Sequence, residues 1–482
     1  MHWRYLLYVV GNLIICFGAT MLVPLVVCLI YRDGGSRSIL ISMAITIACG
    51  IGLFLAFRKA RQSRLTQREG MAIVAVGWAA IGLFGALPFY FDGPQWRFVD
   101  ALFESVSGFS TTGASILTDI EALSKGLLLW RSFIQWLGGM GIIVLSIAIL
   151  PFLGVGGMQL YKAEVPSPVP DKLKPRIRET AVILWKVYAI FTAAEVFFLL
   201  IGGMPLFDAL CHAFTTLPTG GFSTQNGSIA QYNNLYFDWV ITIFMILAGI
   251  NFSLHFQLIR GKPLVFWKDP ECRFFLGAVL LLTAVVSWDC WGTIYAEMGE
   301  AIRFGAFQVA SIITTTGYVT FDYEKWPALS QLILLMCMFV GASAGSTGGG
   351  MKCLRVILCI KFCYKELFGM VHPRAVTTVK LGGQTVSEDV MRSVLGFLAL
   401  FIGLFAVSTI LLAAAGVDFI TALGAVAASI GNVGPGFGAV GPVGNYAQIP
   451  VLGKWLLIWC MLLGRLEIYT MLILLMPTFW RK

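Results

Sequence analysis

The stretch Ser110-Thr111-Thr112-Gly113-Ala114-Ser115 decides the fold, because a polar cluster centred on glycine recurs three more times along the chain. The others are Leu217-Pro218-Thr219-Gly220-Gly221-Phe222-Ser223, Thr314-Thr315-Thr316-Gly317-Tyr318 and Gly431-Asn432-Val433-Gly434-Pro435-Gly436. Gly113, Gly220, Gly317 and Gly434 are 107, 97 and 117 residues apart. A short apolar stretch precedes each cluster: Phe98–Ser110, Leu206–Leu217, Ala301–Ile313 and Phe419–Ile430. Runs of that length do not cross a bilayer core of about 30 Å and read as buried, re-entrant or interfacial. The recurrence in step with hydropathy marks an internal repeat. Each unit reads as span, short helix, polar glycine loop, span.

Around these units the chain is strongly apolar. Of 482 residues, 58% are hydrophobic and 12% charged, with a mean hydropathy of +0.83. Soluble domains carry about 25% charged residues. The class is therefore a polytopic membrane protein, and disorder, collagen-like repeats and a disulfide scaffold are excluded. Uncharged runs of spanning length are Tyr5–Tyr31, Ser38–Phe57, Gly70–Phe91, Ser132–Tyr161, Trp239–Ile259, Pro327–Met351 and Ser393–Val417. Three more spans contain charges: Val187–Phe207, Phe274–Ile294 and Val451–Pro477. Tyr5–Tyr31 exceeds the roughly 7–15 residues of a signal-peptide core, so it is expected to be a retained first helix. The predicted fold is all-α, with ten full crossings and four re-entrant helices around a pseudo-fourfold pore. An N-terminal helical pair occupies residues 1–69. Pore repeats follow at 70–161, 162–260, 261–365 and 366–482.

Orientation follows from Lys and Arg. Twenty-five of the 34 fall on the side holding Arg58–Arg68, Lys162–Lys186, Arg260–Arg273, Lys352–Arg392 and both termini, against 8 on the other. The positive-inside rule makes the basic side cytoplasmic. The net charge of +9 is read the same way, not as a nucleic-acid surface. All four short stretches then lie on the outer side. The 11 cysteines show no CxxC and no metal-ligand spacing, and read as small buried hydrophobes.

Irregular backbone at membrane depth must be buried in protein or line a watery cavity. Four such loops fit one shared axis. Each short helix enters from outside, so its partly negative C-terminus faces the axis and favours a cation. Loop carbonyls can replace a cation's water shell, and glycine permits the backbone turns that aim them.

Two further features stand out. Gly341, Gly345, Gly348, Gly349 and Gly350 interrupt the run that leads to Lys352. Glycine costs about 1 kcal/mol against alanine inside a helix, so this segment is expected to unwind into an intramembrane loop. The alternative is a small-xxx-small packing face. Arg465 sits midway along the last span, where an unpaired charge costs at least about 2.5–3.5 kcal/mol, so it faces a pore or a partner. Glu467, two residues on, points elsewhere, and Glu195 is one candidate carboxylate.

With these features the chain resembles the Trk/Ktr/HKT superfamily of potassium transporters, most closely the TrkH/TrkG branch of bacterial Trk systems. The resemblance covers essentially the full length. It rests on the four loops, on Gly341-Ala342-Ser343-Ala344-Gly345-Ser346-Thr347-Gly348-Gly349-Gly350-Met351-Lys352, on Gly464-Arg465-Leu466-Glu467 and on Pro477-Thr478-Phe479-Trp480. It implies potassium uptake across the bacterial inner membrane. The ion-facing residues would be Thr111, Thr112, Pro218, Thr219, Thr315, Thr316, Asn432 and Val433, followed by Gly113, Gly220, Gly317 and Gly434. The gate would comprise Gly345, Gly348, Gly349, Gly350, Lys352 and Arg465, with the arginine beneath the filter. All four loops depart from a TVGYG-type filter, which implies looser discrimination against sodium. Glycine at position 113, where sodium-carrying relatives have serine, implies potassium. The resemblance also implies a homodimer and a TrkA-like cytosolic nucleotide-binding regulatory subunit on the basic face. Potassium would be the transported ligand, with no organic cofactor.

Asp100, Glu104, Asp208, Asp322 and Asp418 flank the loops. They read as groups concentrating cations at the mouth, or, for Asp100, Asp208 and Asp418, as caps of the short helices. His212 and His255 read as hydrogen-bonded interior residues. Trp130, Trp136, Trp326 and Trp455 read as interfacial anchors. A secondary transporter would show repeats of alternating orientation, whereas these four run the same way. An intramembrane protease would show HExxH or a serine with facing histidines; HExxH is absent and no G-x-S-x-G lies near the two histidines.

Overall fold

The computed structural model describes residues 2–60, 67–148, 173–375 and 377–480. Helices Trp3–Thr20 and Leu22–Tyr31 form one apolar span, and helix Ser36–Phe57 returns beside it. Gly11 and Gly50 sit at the crossing. A Cβ on Gly11 would lie 2.9 Å from that of Leu53, and one on Gly50 2.9 Å from the Ile15 nitrogen. Small residues let membrane helices approach backbone to backbone. The buried hydroxyls of Ser42 and Thr46 donate one turn back, to the carbonyls of Ser38 and Ser42, each at 2.7 Å. Back-bonding of this kind satisfies a hydroxyl where water is absent.

Four groups of helices follow, each with a short middle helix. The first comprises Gln67–Gly85, Phe98–Phe109 and Lys125–Ala148, and the second Leu173–Ile201, Leu206–Thr216 and the pair Leu235–Gly249 with Phe252–Ile259. The third comprises Pro270–Cys290, Met298–Ile313 and Ala328–Val340, and the fourth Glu388–Ala414, Phe419–Gly431 and Val451–Arg465. The middle helix of each matches an expected short stretch within a few residues. Even Met298–Ile313, at 16 residues, rises only about 24 Å. These helices are central: every residue of Ala101–Phe109 and of Gly424–Gly431 is buried.

Among the described residues, six helices are long and apolar enough to cross a membrane, or seven if one bent pair is a single span. Three of the ten expected crossings are interrupted. Trp239–Ile259 bends by 103° between Gly249 and Phe252, where the Asn251 side chain accepts the Ser253 N–H at 2.8 Å. Pro327–Met351 is helical only to Val340, and Val451–Pro477 breaks after Arg465. Backbone conformation sets these breaks: Gly341, Lys352 and Glu467 have φ of 72°, 73° and 63°. Hydropathy alone does not register them.

Other expectations are corrected. The all-α reading omits a small antiparallel hairpin, Lys380–Leu381 with Gln384–Thr385, turned by Gly382 and Gly383. Trp130 and Trp326 are packed inside the protein rather than at an interface, whereas Trp455 is exposed. Cys16, Cys49 and Cys363 are exposed. Two expected unit boundaries, 69/70 and 365/366, fall inside helices Gln67–Gly85 and Cys353–Val371. The span end at Tyr161, the boundary at 161/162, Lys162 and Lys172, Arg61 and Arg64, and Arg481–Lys482 lie outside the described residues.

Candidate functional site

The four loops share one backbone form. A non-glycine residue with positive φ comes first: Thr111 at 52°, Thr219 at 57°, Thr315 at 63° and Asn432 at 55°. Two residues later comes a glycine with positive φ: Gly113 at 80°, Gly221 at 71°, Gly317 at 80° and Gly434 at 101°. The residue between donates its N–H back into the short helix. Thr112 bonds the carbonyl of Ser107 at 2.9 Å, and Gly220, Thr316 and Val433 bond those of Thr215, Ser311 and Ala428 at 2.8 Å. This pattern fixes the register. In the second loop the glycine equivalent to Gly113, Gly317 and Gly434 is Gly221, not Gly220. The residues equivalent to Thr111 and Thr112 are Thr219 and Gly220, and Pro218 stands where Ser110 and Thr314 stand elsewhere. The spacing that sets Gly220 beside Gly113, Gly317 and Gly434 is one residue early, because two adjacent glycines leave the choice open until φ is known.

The loops converge in a closed ring. A Cβ on Gly113 would fall against the carbonyl oxygen of Gly220, and one on Gly221 against that of Thr316. One on Gly317 would meet the Val433 oxygen, and one on Gly434 the Thr112 oxygen at 2.7 Å. Each glycine therefore backs onto the middle residue of the next loop, and the fourth returns to the first. Gly113, Gly221, Gly317 and Gly434 all line one open cavity. With the amides turned into the short helices, the carbonyls of Thr112, Thr316 and Val433 accept no hydrogen bond among the described residues, whereas that of Gly220 accepts from Gln135 Nε2 at 2.7 Å. Oxygens of this kind suit a monovalent cation stripped of water. Among the described residues no cluster of His, Cys, Asp and Glu suits a metal ion.

The flanking acids are mostly engaged. Glu104 is fully buried and takes Arg131 Nε at 2.6 Å, Ser115 Oγ at 3.0 Å and the Ile116 N–H at 3.1 Å. Arg131 continues to the Ser223 carbonyl at 2.9 Å and stacks over Phe222, tying the first loop to the second. Asp100 pairs with Lys454 at 2.6 Å, Asp322 with Lys325 at 3.3 Å, and Asp208 accepts Thr224 Oγ1 at 2.7 Å. Of the acids read as possible caps, Asp418 caps, accepting the Thr421 N–H at 3.0 Å. Hydrogen bonds from Thr421 hold its carboxyl below the usual range. Both histidines are hydrogen-bonded interior residues: His212 to the Asp208 carbonyl and Ser223 Oγ, His255 to the Leu247 carbonyl.

Beneath the loops, residues 341–352 leave the helical path. The Gly349 N–H donates to Thr315 Oγ1 at 2.7 Å, and Thr347 Oγ1 to the Leu217 carbonyl at 2.8 Å. Lys352 Nζ bonds the Gly348 carbonyl, and Arg465 Nη1 bonds that of Thr347 at 2.6 Å. Gly348 packs on the Thr314 carbonyl and Gly349 on Asn432. The segment thus sits against the third and fourth loops. Glu467 does not serve Arg465; it pairs with Arg355 at 2.6 Å. No hydrogen bond joins Glu195 to Arg465.

The sequence model of the TrkH family, described as cation transport protein, matches residues 35–482. The chain belongs to the TrkH family of cation transporters. It is 43% identical to the Trk system potassium uptake protein TrkH of Salmonella typhimurium over 486 residues, with 100% of each chain covered. TrkG of Escherichia coli is 37% identical over 487 residues, covering 100% of this chain and 99% of that one. The crystal structure of the potassium transporter TrkH from Vibrio parahaemolyticus superposes with a TM-score of 0.92 at 38% identity, covering 100% of both. The TrkH family is one of transporters, not enzymes.

Several residues that brace this TrkH-family ring escaped the sequence reading. Gln135 holds the second loop from both sides, donating to the Gly220 carbonyl and accepting the Phe222 N–H at 3.2 Å. Tyr446 donates to the Gly434 carbonyl at 2.7 Å and Tyr323 to that of Gly436 at 2.7 Å. Asn432, already expected to face the ion, adds a side-chain brace: its Nδ2 reaches Thr112 Oγ1 and the Met461 carbonyl, each at 2.9 Å, joining the fourth loop to the first. A lone glutamine in an apolar run was the available signal for Gln135; the tyrosines carried none.

Proposed function

We propose that this chain takes up potassium across the bacterial inner membrane as the pore-forming subunit of a Trk system. The observation that carries this is the closed ring in which Gly113, Gly221, Gly317 and Gly434 each back onto a carbonyl of the next loop. Carbonyls of Thr111, Thr112, Thr219, Gly220, Thr315, Thr316, Asn432 and Val433 would replace the ion's hydration shell. Potassium is the cargo, with no organic cofactor. The segment containing Gly345, Gly348, Gly349, Gly350 and Lys352, together with Arg465, closes the path below. The names of the relatives support potassium and a Trk assembly. The basic excess supports cytoplasmic termini and a cytoplasmic face that receives a TrkA-like nucleotide-binding subunit. The functional unit is a homodimer, each protomer carrying its own four pore repeats after the N-terminal pair.

The test is growth of a potassium-transport-deficient strain on low potassium. Wild type restores growth. Gly113→Ser does not restore it selectively, because its side chain meets the Gly220 carbonyl at a φ of 80°. Failure of the wild-type chain to rescue, with the protein verified in the membrane, rejects the proposal.

A further inference from the structure

We propose that Glu271 is the positioning residue that holds the glycine-rich segment across the ion path, an inference that rests on the gate reading above. Glu271 belongs to helix Pro270–Cys290, the first helix of the third repeat, and is 8% exposed. Its own helix does not need it as a cap: Asp269 does that, accepting the Cys272 N–H at 2.8 Å. Instead Glu271 Oε1 accepts the N–H of Ala344 at 2.6 Å and of Leu354 at 3.0 Å. These amides flank the glycine-rich segment, one on each side of Gly345–Lys352.

Both amides lack an alternative. Ala344 lies in the irregular stretch, and Leu354 is the second residue of helix Cys353–Val371, where an N–H has no acceptor within its helix. The side-chain oxygen therefore caps that helix from another element. The same oxygen gathers the other flank, so the segment is cinched at its base. What projects from the base makes the contacts of Thr347 to Arg465 and Gly349 to Thr315 described above, and the Gly345 carbonyl also accepts the Phe252 N–H at 3.1 Å. Glu271 touches no ion. It acts through Ala344 and Leu354, and it joins the segment to the cytoplasmic connection that ends at Asp269.

Potassium and sodium fluxes of the full-length chain in proteoliposomes test this, without any cytosolic partner. Glu271→Gln keeps an acceptor oxygen and stays within about twofold of wild type. Glu271→Asp, one methylene short, raises potassium flux, and Glu271→Ala raises it further, by roughly tenfold. The potassium-to-sodium ratio stays constant in all three, because the filter loops are untouched; general loosening of the pore would change it. Arg465→Ala is measured alongside. If it raises flux while Glu271→Asp and Glu271→Ala do not, the positioning role is wrong and the gate reading survives. If Arg465→Ala also leaves flux unchanged, the gate reading fails and takes the proposal with it. A raised flux with lost selectivity overturns the proposal too. If the alanine variant does not reach the membrane folded, the aspartate and glutamine variants decide alone.

Discussion

Arg465 donates from Nη1 to the carbonyl oxygen of Thr347 at 2.6 Å, so a guanidinium only 3% exposed is tied to the unwound segment of a different repeat. Its Nε and Nη2 make no hydrogen bond among the described residues. A fixed positive charge beneath a ring of carbonyls opposes a cation. At an effective dielectric near 20, two like charges brought to about 4 Å repel by about 4 kcal/mol, and less when further apart. Arg465→Ala is therefore expected to raise potassium flux more than about tenfold, and Arg465→Lys, which keeps the charge, much less. Rubidium uptake into proteoliposomes measures both; equal fluxes for wild type and alanine would remove the arginine from the path.

The register of the second loop is tested by its two glycines. A Cβ on Gly221 meets the Thr316 carbonyl and strains a φ of 71°, whereas one on Gly220 meets the Gln135 side chain with no positive φ. Strain of the first kind costs about 1–3 kcal/mol, and a backbone carbonyl moves less readily than a side chain. Gly221→Ala is expected to impair the potassium-to-sodium ratio more than Gly220→Ala does. Equal or reversed effects would restore the alignment on Gly220.

That ambiguity shows where sequence stops being legible. The short helices were visible because an apolar stretch too short to span, followed by glycine, leaves few readings. The unwound segment 341–352 was visible because five glycines cannot stay helical in so short a run. The bend at Asn251 was not, since Trp239–Ile259 is uninterrupted in hydropathy. Glu104 was misread as a mouth acid because its partner Arg131 comes from the next helix of its repeat. Glu271 was unmarked, since the amides it serves lie more than seventy residues on.

The Arg131–Glu104 pair predicts a stability effect. The two side chains are 2% and 0% exposed, and the guanidinium also lies 3.8 Å over the Phe222 ring centre. Removing one partner strands a buried charge at a cost of about 3–5 kcal/mol. Glu104→Gln or Arg131→Met alone is expected to lower the melting temperature of the detergent-purified protein substantially. The double variant should recover much of the loss, because no charge is then left unpaired. Additive losses would show that the two residues act independently.

Arg355 and Glu467 directly link two of the three interrupted crossings, Pro327–Met351 and Val451–Pro477. Arg355 lies just after the unwound segment, and Glu467 occupies the break of the fourth repeat with a φ of 63°. Their 2.6 Å pair is 5% and 14% exposed, and Arg355 also stacks 3.9 Å from the centre of Phe397. Through this pair, movement at one break is expected to be passed to the other. A double-mutant cycle with Arg355→Met and Glu467→Gln is expected to give a coupling energy of about 0.5–3 kcal/mol in thermal stability. Because the pair bridges the breaks and not the filter, each single variant should alter flux while leaving the potassium-to-sodium ratio in place. A cycle with no coupling, or single variants that change the ratio and not the flux, would show that the breaks move independently.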